Sequence, residues 1–146
     1  MLSRLRKLAR HFSRFGETAA AFDRQRFIYI KIPGDIQPLE RGTRFEDPLQ
    51  RLIAASGLGS VTGGGSQMDD PYPDGRPRVE FCGIDLNATD RDRALAFLRN
   101  ELPKLHAPTG TELHYTIDAA ALLDRRQTDG WHLGLVRTYL HPSHGV

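Results

Sequence analysis

Cysteine, tryptophan and methionine are scarce in this 146-residue chain: it holds one, one and two of them. With Cys82 alone, no intramolecular disulfide can form. A bridge-stapled secreted domain is thereby excluded, and a reducing, cytoplasmic setting is expected. No run of about 18 apolar residues occurs, so no membrane-spanning helix is expected. The N-terminus lacks the continuous apolar centre of a secretory signal.

Metal and catalytic signatures are missing too. Zinc needs three or four convergent ligands, and no Cys-x-x-Cys or His-Glu-x-x-His spacing is present. Of the six histidines, only His141 and His144 stand close together, beside Pro142 and Gly145 in a terminal stretch expected to fray. The segment Asp85-Leu-Asn87-Ala-Thr89-Asp90 starts like a calcium loop, but its sixth position is Asp90 rather than glycine and its twelfth is Ala96. Those residues are read instead as a strand end and a helix cap, and no metal or cofactor is expected. No Gly-x-Ser-x-Gly elbow is found. Cys82 lies inside a predicted strand, where a free thiol acts as a small buried hydrophobe. Nothing in the chain argues for an enzyme.

The charge is unevenly spread. Residues 1–26 carry seven basic side chains against Glu17 and Asp23, a net +5, while the other 120 residues carry 13 basic and 16 acidic ones, a net −3. The chain is thus a basic arm on a mildly acidic body, which weakens any nucleic-acid reading based on overall charge. Within the arm, Leu2, Leu5, Leu8, Phe12 and Phe15 recur at helical spacing, with Arg4, Arg6, Lys7, Arg10 and Arg14 between them. Such a helix could dock on its own domain, contact a partner or an anionic membrane surface, or serve as an organellar presequence.

Beyond the arm, Phe27–Ile32 reads as a buried strand ending at Pro33-Gly34. Residues 33–46 read as a loop. A short helix is expected over Asp47–Ser56, with Asp47 as N-cap, Pro48 in the first turn and Gly57 as the C-terminal glycine. Leu58–Met68 and Arg78–Leu86 read as a hairpin, with a kink expected at Cys82-Gly83. Thr89 is the expected cap of a second helix buried through Leu95, Leu98, Leu102 and Leu105. Thr111–Ile117 reads as a strand with one face buried. The order predicts a ferredoxin-like βαββαβ core over residues 27–117: a four-stranded antiparallel sheet with two helices on one face. Residues 118–146 form a C-terminal extension, with a short helix over Ala119–Arg126 and an edge strand over Trp131–Tyr139.

The run Thr62, Gly63, Gly64, Gly65, Ser66, Gln67 is the most unusual local feature. It fits neither a phosphate loop nor a dinucleotide fingerprint. Side-chain-free backbone there admits close approach of a ligand or of a partner's main chain, and a bulged structural strand is the plain alternative. The expected function is a non-enzymatic module that covers or regulates a partner protein, as an inhibitor, immunity-type protein or adaptor does. The alternatives are a small-ligand sensor or enzyme at the glycine strand and its adjacent loop, and RNA binding through the arm.

Overall fold

The computed structural model describes residues 22–146. The arm helix with Arg4, Arg6, Lys7, Arg10 and Arg14 lies outside the described residues, as do the membrane, presequence and RNA readings attached to it. Described structure begins at Phe22 and enters the sheet through a turn over residues 24–26.

The chain folds as β1 (Phe27–Pro33), α1 (Pro38–Arg41), a π-helical turn (Gly42–Glu46), α2 (Asp47–Ala55), β2 (Gly59–Asp69), β3 (Arg78–Ala88), α3 (Arg91–Lys104), β4 (Glu112–Ile117), β5 (Ala120–Gln127) and β6 (Gly130–Val136). The strands make one six-stranded sheet in the order β2-β3-β1-β4-β5-β6, and every neighbouring pair is antiparallel. This α+β architecture replaces the expected four-stranded ferredoxin-like sheet.

Residues 118–146 account for much of the difference. The Ala-Ala-Ala-Leu-Leu run favours helix by propensity, yet it forms β5. A two-residue turn at Asp118-Ala119, with Asp118 at φ 55°, sets Ile117 opposite Ala120 and zips the two strands together. Strand pairing then overrides a weak local preference. A second tight turn at Thr128-Asp129 adds β6.

The first helix also departs from expectation. Pro38 starts it, and α1, the π turn and α2 run on without a break through the segment read as a loop. Phe45 is fully buried, so core packing draws residues 42–46 into the helix. Asp47 is no cap: it lies within the run and its N–H bonds to the Gly42 carbonyl. Pro48 can donate no such bond and its ring crowds the preceding turn, which the wide π turn accommodates.

One face of the sheet carries the helices. Ile28, Ile30 and Ile32 of β1 pack there with Cys82, Ile84 and Leu86 of β3, under Leu49 and Ile53 of α2 and Leu95, Leu98 and Leu102 of α3. Asp90, rather than Thr89, caps α3 by accepting the Arg93 N–H at 3.2 Å, while the Thr89 hydroxyl donates to the Gly57 carbonyl. Pro103 removes the bond to the Arg99 carbonyl, and the Trp131 indole N–H takes its place at 3.0 Å. The irregularities of the β2–β3 pair fall at Thr62 and Glu80, not at Cys82-Gly83. The alternation of β3 therefore changes phase at Glu80, which puts Phe81 on the opposite face from Val79. Among the described residues no helix is long and apolar enough to cross a membrane.

Candidate functional site

The second face of the sheet bears the polar chemistry. Alternation places Phe27, Tyr29 and Lys31 of β1 there, with Phe81, Gly83, Asp85 and Asn87 of β3 and Glu112, His114 and Thr116 of β4. Residues 137–146 cross this face and cover it. Both faces of β4 are therefore buried, against the expectation of one, and the expected fraying at His141–His144 is overturned by their docking on the sheet.

Three sets of hydrogen bonds hold the crossing segment. Buried Arg137 donates from Nε to Leu122 O, from Nη1 to Tyr139 O and from Nη2 to Tyr115 O, at 2.9–3.1 Å. Glu112 accepts from His114 Nε2 at 2.8 Å, from Arg125 Nε at 3.0 Å and from the Tyr139 hydroxyl. Burial alone would raise the Glu112 pKa, but these three donors outweigh it and bring the carboxyl down to about 2. Burial lowers the His114 pKa, so its neutral form donates to the carboxylate. The Tyr139 hydroxyl is pushed up to about 12, by burial and then by Glu112.

The third set centres on His141. Its Nε2 lies 3.0 Å from Asp85 Oδ1, and its Nδ1 accepts the backbone N–H groups of Ser143 and His144 at 3.0 and 3.2 Å. The ring stands edge-on to Tyr29, whose own ring lies across Gly83. A Cβ on Gly83 would come within 2.0 Å of the Tyr29 hydroxyl oxygen, so glycine is required there. Burial first and the Asp85 carboxylate second push the Tyr29 hydroxyl up to about 12.

His144 Nε2 stands 3.7 Å from Asp85 Oδ2, and donor atoms of Asp85, His141 and His144 all lie within 4.8 Å of one another. Such a set invites a metal, but the proton arrangement opposes it. An Nδ1 that accepts two amide N–H groups leaves the proton on Nε2, where it donates to Asp85. A cation bound at Nε2 would have to displace that proton and leave both amides without an acceptor. Asp85 and His144 then remain as two ligands, fewer than a tight site needs. In this arrangement the histidine acts as a latch for the C-terminal segment.

The predicted glycine run divides between the faces. Cross-strand partners place Gly63, Gly65 and Gln67 on the covered face, and Gly64 and Ser66 towards the helices. Thr62 is the extra residue at the bulge. On the helix side, Arg41 pairs with Glu46 at 3.0 Å and donates to Ser66 Oγ at 3.0 Å. A Cβ on Gly64 would lie 2.2 Å from Glu46 Oε2 and 3.0 Å from the Gly83 carbonyl, whereas one on Gly65 meets nothing within 4 Å. Gly64→Val is thus expected to lose about 1–3 kcal/mol by overpacking, and Gly65→Val to stay within about 0.5 kcal/mol of wild type. Urea unfolding of the two variants checks this, and equal losses would refute the assignment.

Two clefts flank the docked segment. One, of about 250 Å³, brings Gly64, Gly65, Ser66 and Gln67 together with Tyr29 and His141. The other, of about 300 Å³, joins Thr62 to Asp85, Asn87 and His144. Sequence reasoning missed Asp85, Glu112, His114 and His141 as members of one face. The Glu112-x-His114 spacing on a strand was the available local signal, and nothing local pointed to the crossing segment. No family model matches the chain, nor does any curated protein or solved structure.

Proposed function

We propose that this protein is a non-enzymatic binding module that engages a partner protein along β2 and the clefts beside it. The observation that carries the reading is the state of β2. It is an edge strand of eleven residues and none of them is buried, although it adjoins β3, where six of eleven residues are buried. A long edge presents unpaired backbone groups, and proteins ordinarily shorten, charge or cover such edges. Here Gly63, Gly64 and Gly65 keep the middle of the strand free of side chains. That arrangement suits an extended partner segment added as a further strand, with main-chain pairing for affinity and the clefts for specificity.

The polar groups support a binding role over a catalytic one. His141, His114 and Glu112 are each engaged in internal hydrogen bonds that dock the C-terminal segment, so none stands free beside a nucleophile as acid–base catalysis needs. The test is capture from the source lysate with the full chain and with Gly65→Lys, which sets a long cation at the open position of β2. A stoichiometric protein held by wild type and lost with Gly65→Lys is expected. Capture that is insensitive to Gly65→Lys, or absent, overturns the reading.

The cleft beside Tyr29, His141 and Gln67 favours a second reading, a small-ligand sensor. Saturable thermal stabilisation by a metabolite, abolished by filling the cleft through Gly65→Trp, would establish it. A full metabolite panel without a shift would remove it.

A further inference from the structure

We infer that the cleft between Phe22, Phe27 and the bulge at Thr62 receives an arginine side chain from the partner protein. This assignment rests on the reading of β2 as the partner-binding edge and names the chemistry of what it recognises.

The cleft is acidic and aromatic. Asp23, Asp85, Phe22, Phe27, Thr62 and Asn87 line it, His144 closes one side, and among the described residues no lysine or arginine lines it. Asp85 gives one oxygen, Oδ1, to His141, while Oδ2 is 3.7 Å from its nearest basic neighbour, His144 Nε2, beyond hydrogen-bonding distance. Among the described residues Oδ2 therefore has no hydrogen-bond donor and can accept one. Asp23 pairs with Arg26 at 3.6 Å through Oδ2 and accepts the Gln25 N–H at 2.9 Å through Oδ1, so Asp85 is the carboxylate with an oxygen to offer. Lys31 is turned away, with its ammonium between the rings of Phe81 and Tyr139.

Access to Oδ2 depends on the glycine run. A Cβ at Gly63 would lie 3.4 Å from Asp85 Oδ2, so a longer side chain there would roof over the carboxylate. With glycine, no side chain of residue 63 stands between the edge of β2 and Asp85. A strand added at that edge lies two strand spacings from β3, roughly 10 Å, which an arginine and an aspartate side chain span together.

The walls favour guanidinium over other cations. The His144 ring stacks on Phe22 at 4.6 Å and 11°, and Phe27 stands 5.2 Å from Phe22 at 57°, a corner of flat apolar surface beside a carboxylate. Guanidinium is planar, weakly hydrated and rich in donors, so it can lie on a ring while bonding a carboxylate edge-on. Asn87 and Thr62 offer further oxygens; among the described residues neither side chain has a hydrogen-bond partner. An ammonium, compact and strongly hydrated, uses less of this surface.

The test is an NMR titration of the ¹⁵N-labelled full chain with the extended peptide acetyl-Thr-Val-Arg-Val-Thr-amide, its citrulline counterpart and acetyl-arginine amide. The arginine peptide should shift the amides of Gly63, Gly65, Asp85 and Asn87 saturably. It should bind at least about tenfold more tightly than the citrulline peptide, a difference of about 1.4 kcal/mol. Asp85→Asn should weaken it by a similar factor, as should Gly63→Val, which roofs the carboxylate without touching the Asp85–His141 bond. Equal binding of the citrulline peptide overturns the inference, as does undiminished binding by both variants. No response to any probe also overturns it, including the case in which this chain's own basic arm fills the cleft. Acetyl-arginine amide binding as tightly as the peptide would make this a small-cation site and overturn the partner assignment. If the cleft is silent while capture remains sensitive to Gly65→Lys, this inference falls and the partner reading stands.

Discussion

Asp124→Ala is expected to destabilise the fold by about 3–5 kcal/mol, the loss typical of removing one member of a buried, hydrogen-bonded ion pair. Asp124 is 1% exposed. It accepts from the Tyr115 hydroxyl at 2.7 Å, from Arg99 Nη1 at 2.7 Å and from the Gly134 N–H at 2.9 Å. Those donors come from β4, α3 and β6, so one carboxylate ties three elements together. It sits where the β5–β6 register shifts between Leu123 and Arg125, a point at which the backbone ladder alone does not hold the edge strand. Alanine would leave all three donors without their acceptor. Urea unfolding measures the loss, and Asp124→Asn should retain part of the stability because it keeps an acceptor oxygen. A loss below about 1 kcal/mol would mean that water replaces the carboxylate and that this junction is not dry.

Acid should unfold the protein through Glu112. Folding holds this carboxyl at about 2 against an ordinary value of 4.5, so the unfolded chain binds more protons than the folded one between those limits. The stabilisation is therefore complete above about pH 4.5 and is lost as pH falls towards 2. A shift of that size corresponds to about 3 kcal/mol. His114 adds in the same direction. Its pKa is lowered by burial, which outweighs the opposing hydrogen bond to Glu112, so acid costs stability once the unfolded imidazole begins to take up protons below 6.5. The prediction is a urea midpoint that declines from about pH 6.5 and steepens below 4.5. Glu112→Gln, which keeps an acceptor for Tyr139 but no charge, should flatten the acid limb. Parallel profiles for wild type and Glu112→Gln would show that other carboxylates govern acid unfolding.

Loss of the Glu112 cluster bears on function, because it anchors the segment that walls both clefts. Tyr139 and Arg137 dock residues 137–146 on the sheet, and His141 then reaches Asp85. Acid that releases the first anchor would open the face that β2 borders. Binding along β2 should accordingly weaken over the same pH interval as stability.

Periodicity and chain punctuation carried part of the architecture. Ile28, Ile30 and Ile32 alternate because a pleated strand exposes its faces in turn, and Leu95, Leu98 and Leu102 recur because a helix returns to one face every three to four residues. Gly57, at φ 67°, ends α2 where a left-handed residue is needed. Local signals failed where two of them competed. Asp47-Pro48 resembles a helix start, but Pro38 offers an earlier one, and burial of Phe45 extended the helix back to it. Ala119–Leu123 resembles a helix, but pairing with β4 gave its backbone better partners.

By itself the sequence determined which short segments could be strand or helix, that one cysteine allows no intramolecular disulfide bridge, and that three consecutive glycines leave a strand bare. Tertiary structure alone decided that β2 lies at an edge, that Gly64 serves packing while Gly65 stays open, and that Asp85, Glu112 and His141 share one face. The physical reason is separation along the chain. The bonds that assemble that face join Glu112 to Tyr139 across 27 residues and Asp85 to His141 across 56, distances over which periodicity and turn chemistry carry no information.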